Sequence, residues 1–90
     1  FEVIEKTKNG IKRFTIQPDY FAVEKRVVDL NLPKGSLVLF IKRHGAFVIP
    51  DGSTTFKPMD RVLIVTKVKS DLGVAQKCFR VENKNSIVNV

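Results

Sequence analysis

Apolar residues in this chain come in short runs separated by turn-forming residues, and this pattern predicts strands. Three runs lie close together in the middle of the sequence, at residues 37–41, 46–49 and 62–65, and turns with glycine or proline separate them. Short apolar runs bounded in this way are typical of strands. The first run lacks clean alternation, so we expect it to be a central strand. Alternation over residues 61–68 predicts a strand with two unlike faces.

The N-terminal part predicts a β-hairpin. Two short runs, residues 1–5 and 11–17, flank the pair Asn9-Gly10. Asn-Gly between two strand-like runs is a strong hairpin signal, because both residues tolerate positive φ. We therefore expect residues 1–18 to form an N-terminal hairpin extension.

Two later segments show helical periodicity. Apolar residues spaced i, i+4 and i+7 predict a short helix over residues 22–30. A second short helix is predicted from Ser70, a favourable N-cap, to about Arg80, with Cys78 on its apolar side. The order of elements predicts an α+β domain, in which a small, largely antiparallel sheet carries two short helices.

Length and composition fit one small globular domain. The chain has 90 residues, of which 43% are hydrophobic and 28% charged. We assign residues 19–80 to this domain and residues 81–90 to a tail or an extra edge strand. No apolar run is long enough to span a bilayer. Because the sequence opens on Phe1 within a strand-like run, we expect it to be a piece of a longer polypeptide. The single cysteine excludes an internal disulfide, so we expect a reducing compartment such as the cytoplasm.

The residue types that catalysis needs are almost missing. His44 is the only histidine, and the aspartates Asp51, Asp60 and Asp71 stand at turn or cap positions, where carboxylates serve backbone geometry. The sequence contains no zinc-ligand spacing and no phosphate-binding glycine motif. We therefore expect a domain that is not an enzyme, with no metal and no resident cofactor.

The charge favours an anionic partner. Sixteen Lys and Arg residues stand against nine Asp and Glu, for a net charge of +7. These cations are scattered along the chain and form no continuous block, which is typical of a solvated surface. Phe14, Phe40 and Phe47 lie inside apolar runs, so we expect them in the core rather than on a base-stacking surface. A small basic nucleic-acid-binding module is the alternative function, and nucleic acid is the less favoured partner.

A set of residues in fixed order carries a family resemblance. The set consists of Val28-Asp29-Leu30-Asn31-Leu32-Pro33, Gly35, Leu37-Val38, Ile41, Arg43, Gly45, Val48-Ile49-Pro50, Gly52, Phe56, Asp60 and residues 62–65. This order resembles the TrkA-C domain, also called the RCK C-terminal domain. One position departs from the family pattern, which usually has glycine where Met59 precedes Asp60. We therefore expect the turn at Met59 to differ locally.

The resemblance implies a cytoplasmic regulatory module of potassium transport proteins and cation/proton antiporters. The chain has no dinucleotide fingerprint, so the C-terminal part of an antiporter is the preferred context. The resemblance also implies a homodimer that acts on the membrane-embedded transporter domain. Some members of the family bind cyclic di-AMP in the cleft between the two protomers.

The resemblance places the ligand site on the middle strands. Arg43 offers bidentate geometry for a phosphate, and His44 could donate a hydrogen bond or stack on a base. The apolar residues that could form a floor under a purine are Ile41, Val48, Ile49 and Pro50. Simpler interpretations stay open, because the aliphatic residues can be ordinary strand core and Arg43 an ordinary exposed hairpin cation.

Overall fold

The structure, a computed structural model, describes residues 8–83. The elements are β1 (Gly10–Thr15), a 3-10 turn (Val27–Leu30), β2 (Ser36–Arg43), β3 (Ala46–Val48), β4 (Arg61–Thr66), a second 3-10 turn (Lys69–Asp71) and α1 (Leu72–Arg80). The four strands pair antiparallel in the order β1-β4-β2-β3. The predicted α+β class and antiparallel sheet are confirmed, with β2 and β4 as the central strands.

Alternation along the strands gives the sheet one covered and one uncovered face. In β4, Val62, Ile64 and Thr66 are buried, and their neighbours Val38 and Ile41 on β2 are buried as well. We call this side the inner face. Because successive side chains of a strand point to opposite sides, the residues between them lie on the outer face.

Helix α1 packs against the inner face and completes the core. The Phe79 ring lies edge-to-face against Phe14 and Phe56, at centroid distances of 4.9 and 5.2 Å. Cys78 is buried on the same side of α1, as predicted, and burial raises the pKa of its thiol. The second predicted helix is therefore confirmed. However, a 3-10 turn precedes α1, and Ser70 does not cap it.

Residues 22–30 do not form the predicted α-helix. Only the last four of them are helical, as one 3-10 turn. The amide N–H groups of Val27 and Val28 donate instead to carbonyls of the loop at residues 52–54, at 3.0 and 3.1 Å. Glu24, at φ +65°, also interrupts a helix. The β-branched valines have weak helix propensity, so pairing with the neighbouring loop prevails over the helical period.

The N-terminal strand is confirmed, but the predicted turn before it is not. Gly10 is the first residue of β1 and not part of a turn. Neither Asn9 nor Gly10 has positive φ. The Asn9 side chain donates to the carbonyls of Thr66 and Lys67, at 3.3 and 3.2 Å, and so fixes the start of β1 against the end of β4.

Parts of the predicted organisation lie outside the described residues. The first run of the predicted hairpin, residues 1–5, and most of the C-terminal segment, residues 81–90, belong to this part. The division into residues 1–18, 19–80 and 81–90 stays a prediction. Within residues 8–83, no helix is long and apolar enough to cross a membrane.

Candidate ligand-binding site

The hairpin between β2 and β3 carries the two predicted polar ligand-binding residues, Arg43 and His44, at its turn. His44 and Gly45 have φ of +51° and +79°, which is the signature of a type I′ turn. This turn matches the twist of the flanking antiparallel strands. Arg43 and Ala46 are register partners that close it. His44 is exposed at the tip, whereas Arg43 lies two positions after the buried Ile41 and points to the same inner side.

Arg43 is held by a buried carboxylate. Its Nε donates to Asp60 Oδ1 at 2.9 Å and its Nη2 to Asp60 Oδ2 at 2.7 Å, and Nη2 also donates to the Thr55 carbonyl at 3.0 Å. Asp60 is 1% exposed and accepts a further hydrogen bond from the Lys57 backbone N–H at 2.8 Å. The bond with Asp60 raises the pKa of Arg43. Arg43 is therefore not an ordinary exposed hairpin cation, and a phosphate would have to compete with Asp60 for it.

A type II turn positions Asp60. The Asp60 N–H donates to the Lys57 carbonyl at 3.2 Å, with Pro58 and Met59 as the central residues and Met59 at φ +70°. Proline followed by a residue with positive φ defines this turn, and glycine is the usual residue at the second position. The Met59 N–H donates to the Ile16 carbonyl at 2.7 Å. The backbone at Met59 thus takes the conformation that glycine favours, and the expected local difference from the family turn stays a prediction.

The four apolar residues predicted as a ligand floor do not share one surface. Ile41 is fully buried, and its register partner Val48 packs against the core. Ile49 follows β3 and is 79% exposed. Pro50 lines a cleft. Strand core is the interpretation that fits Ile41 and Val48, while the ligand-binding role of the set stays a prediction.

The cleft beside Pro50 has a volume of about 130 Å³ and lies between the start of β2 and the segment that follows β3. Its lining residues are Val27, Leu32, Ser36, Leu37, Val38, Pro50, Asp51 and Gly52. Most of this wall is apolar, and the lining includes no lysine, arginine or histidine. Ser36 Oγ is buried without a hydrogen-bond partner in the part of the chain that the structure describes. Of the residues predicted to bind ligand, only Pro50 belongs to this lining.

The cleft and the Arg43-His44 turn occupy opposite ends of the hairpin. Pro50 at the cleft follows Ala46, the register partner of Arg43, by four positions, and Val38 precedes Arg43 by five positions in a strand with a register shift. At about 3.3 Å per residue, roughly 13–16 Å of backbone separates the cleft from Arg43. Arg43, which Asp60 holds, and His44 therefore do not line the cleft that Pro50 lines in the same chain.

The outer face of the sheet carries an aromatic residue that was predicted to be buried. Phe47 is 63% exposed and lies edge-to-face on the half-buried Phe40, at 5.0 Å between ring centroids. The prediction of core positions is confirmed for Phe14 and is wrong for Phe47 and for Phe40, which is half-buried on the outer face. The reason is topological, because Phe47 lies on the outer face of a three-residue edge strand.

These features define a small α+β domain with an apolar cleft. Among residues 8–83, no cluster of three or more His, Cys, Asp or Glu side chains could hold a metal ion. The family profile of the TrkA-C domain matches residues 11–70, and the chain belongs to this family. The family resemblance is thereby confirmed. TrkA-C domains are regulatory and not catalytic domains.

Solved structures with this fold agree with the family. The RCK_C domain dimer of S. agalactiae BusR in complex with c-di-AMP has a TM-score of 0.63 at 16% identity, over 93% of this chain and 100% of that chain. An RCK domain with cda has a TM-score of 0.56 at 22% identity, over 76% and 96% of the two chains. S. agalactiae BusR in complex with its busAB-promotor DNA has a TM-score of 0.61 at 18% identity, over 78% of this chain but only 35% of that chain. No curated protein sequence matches the chain.

Proposed function

We propose that this domain is a regulatory module that binds a cyclic dinucleotide, such as cyclic di-AMP, between two copies of the chain. The observation that carries the proposal is the apolar cleft at the start of β2, in a domain of the TrkA-C family. An apolar cleft with few polar groups suits a purine base, whose faces are apolar and whose edges form hydrogen bonds. Two solved structures with this fold contain c-di-AMP or cda.

The charges of the cleft support a site that needs a second copy. A cyclic dinucleotide carries two phosphates, and phosphates in proteins are held by cations or backbone N–H groups. The cleft lining includes one carboxylate, Asp51, and no cation. Arg43 and His44 lie near the other end of the hairpin, roughly 15 Å away in the same chain. A second protomer could bring its own cations to this cleft, and the dimeric RCK_C domain of BusR offers a precedent for the assembly.

We place this regulatory module on the cytoplasmic side of a potassium or cation transporter, as the C-terminal part of a cation/proton antiporter. The domain would act on the membrane-embedded part by a shift of populations. A ligand that binds one dimer geometry more tightly than another stabilises the transporter state coupled to that geometry. Family membership supports this context.

Calorimetric titration tests the ligand and the dimer together. We expect saturable binding of cyclic di-AMP at near-physiological salt, with one ligand per two chains, and a dimer in sedimentation or light scattering. Leu37→Ala shortens a side chain that lines the cleft and is 57% exposed, so it should weaken binding about tenfold with little loss of stability. Val74→Ala is the matched control, because Val74 is similarly exposed but lies on α1.

Each outcome separates one part of the proposal. No binding of cyclic di-AMP at millimolar concentration would refute the ligand and leave the family assignment standing. One ligand per chain in a monomer would refute the shared cleft. If the Leu37→Ala and Val74→Ala variants bind cyclic di-AMP with equal affinity, the ligand does not bind in the cleft.

A further inference from the structure

The outer face of the sheet is basic at one end. Arg61 precedes the buried Val62, so its side chain points away from the core. Its register partners Thr15 on β1 and Lys42 on β2 share that outer face, and Phe47 on β3 is the partner of Lys42. One row of side chains therefore crosses the sheet through four strands. At about 4.8 Å between strands, the row is roughly 14 Å wide.

This row contains like charges side by side. Lys42 and Arg61 are direct cross-strand partners, and like charges in that arrangement destabilise a sheet. Arg13, two positions before Thr15 on β1, adds a third cation to the same face. We call Arg13, Lys42 and Arg61 the outer-face cations. Such a cluster is expected to bind an anion that lowers its mutual repulsion.

No protein carboxylate neutralises the outer-face cations in the part of the chain that the structure describes. The four strands contain no Asp or Glu. The salt bridges among residues 8–83 pair other cations, namely Arg26, Arg43 and Lys57. The contrast with Arg43 on the inner side is clear, because that arginine has a buried carboxylate as its partner.

Phe47 adds an aromatic surface to the cation row. The Lys42 Nζ lies 5.7 Å from the centre of the Phe47 ring. Phe40, on the neighbouring strand, contacts the Phe47 ring edge-to-face. The ring is thus held in place while most of the residue stays exposed. A fixed, exposed ring on a flat sheet beside several cations is the arrangement on which unpaired bases stack while cations contact the phosphates.

We infer that the outer face binds single-stranded nucleic acid, through stacking on Phe47 and through contacts of the outer-face cations with phosphates. A second copy of the chain is a poorer occupant of this end, because it would bring more cations to a surface without carboxylates. An anionic membrane would satisfy the charges but gives no reason for a single fixed aromatic ring. The site is separate from the cleft, which lies at the other end of the β2–β3 hairpin.

Fluorescence anisotropy with the full 90-residue chain tests the inference. The probes are labelled oligothymidine and oligouridine of about 12 nucleotides, a length within the range of single-strand binding surfaces. With three phosphate contacts, the slope of log affinity against log salt should be about −2. The double variant Lys42→Gln/Arg61→Gln should bring the slope to about −0.7 and lower the affinity at least tenfold. Phe47→Leu keeps an apolar side chain without a ring and should weaken binding about tenfold with an unchanged slope.

The matched control is Lys69→Gln/Lys77→Gln, which removes two exposed lysines away from the outer face. If this control weakens binding as much as the outer-face double variant, the binding is diffuse charge attraction and the inference is wrong. Binding of the wild-type chain to phosphatidylglycerol vesicles without oligonucleotide binding would assign the face to a membrane instead. A change in the sedimentation of Phe47→Leu, with unchanged oligonucleotide affinity, would assign it to a second copy. Circular dichroism of each variant confirms that the fold is intact.

Discussion

The bond between Arg43 and Asp60 gives the sharpest stability prediction. Arg43→Met removes a cation and leaves Asp60, which is 1% exposed, with one remaining hydrogen bond from the Lys57 N–H. Removal of one partner of a buried ion pair destabilises proteins by about 3–5 kcal/mol, because the other charge stays buried. Stability of about 0.05–0.15 kcal/mol per residue gives roughly 5–13 kcal/mol for a chain of this length. The substitution should therefore remove roughly a quarter or more of the free energy of unfolding.

The opposite substitution should be milder. In Asp60→Asn the charge left behind belongs to Arg43, whose side chain is 26% exposed and can be partly hydrated. We expect a loss of about 2 kcal/mol, typical of a hydrogen bond to a charged group. The two partners of one ion pair are thus predicted to be unequal because they are unequally buried.

Urea unfolding followed by far-UV circular dichroism measures both losses. Glu24→Gln is the control, because it makes the same carboxylate-to-amide change in the exposed Lys57–Glu24 pair, whose atoms are 2.8 Å apart. Exposed pairs contribute less than about 1 kcal/mol. If Arg43→Met destabilises the domain no more than Glu24→Gln does, the guanidinium is not essential to the fold. The role of Arg43 as a free ligand-binding cation would then regain support.

Three further predictions concern backbone conformation and pH. Gly10→Ala should destabilise the domain by about 1–3 kcal/mol, because the added Cβ would lie 2.5 Å from the Leu72 Cγ at the start of α1. Urea unfolding measures this loss of stability, and an unchanged stability would refute the close packing. Met59→Gly should leave the stability unchanged or raise it by up to about 1 kcal/mol, because it relieves the left-handed backbone conformation but also raises the conformational entropy of the unfolded chain. A clear decrease of the melting temperature would contradict this prediction. Hydrogen bonds from Ser53 lower the pKa of Asp51 below its ordinary value of 3.8. The ionised Asp51 therefore contributes its full stabilisation above pH 3.8, and this stabilisation is lost as the pH falls through the pKa of the folded state. Asp51→Asn should therefore flatten the fall of the urea midpoint below about pH 4 and leave the dependence between about pH 5 and 7 unchanged.

Strands were more predictable than helices in this chain. The three central apolar runs, at residues 37–41, 46–49 and 62–65, coincide with β2, β3 and β4. Strands are easier to predict because neighbouring residues show directly which positions face which side of a sheet. The failure at residues 22–30 has a different cause. A helical period is only an arrangement of apolar positions, and it does not show which acceptors the backbone N–H groups will find. The loop at residues 52–54 offered acceptors for Val27 and Val28, and that contact depends on the tertiary fold.

The contacts of the predicted site residues were harder to predict from the sequence than the fold, and for the same reason. The family resemblance pointed to Arg43 as a ligand-binding cation, because its guanidinium offers bidentate geometry for a phosphate. Its partner Asp60 lies 17 positions further along the chain, at a turn whose aspartate was expected to serve backbone geometry. The exposure of Phe47 also depends on topology, since β3 is an edge strand and nothing in a run of three residues shows that. In both cases the sequence does not show which secondary-structure elements are neighbours in the fold.

Separation of the cations between the two faces of the sheet limits how one chain can recognise anions. On the inner side Arg43 is bound by Asp60. The apolar cleft at the start of β2 has no cation in its lining. On the outer side Arg13, Lys42 and Arg61 have no carboxylate partner among the described residues. An anionic ligand in the cleft therefore depends on a second copy for its charge, whereas the outer face has cations of its own. Ligand binding at the cleft should accordingly depend on protein concentration, and oligonucleotide binding at the outer face should not, which a dilution series of both titrations can distinguish.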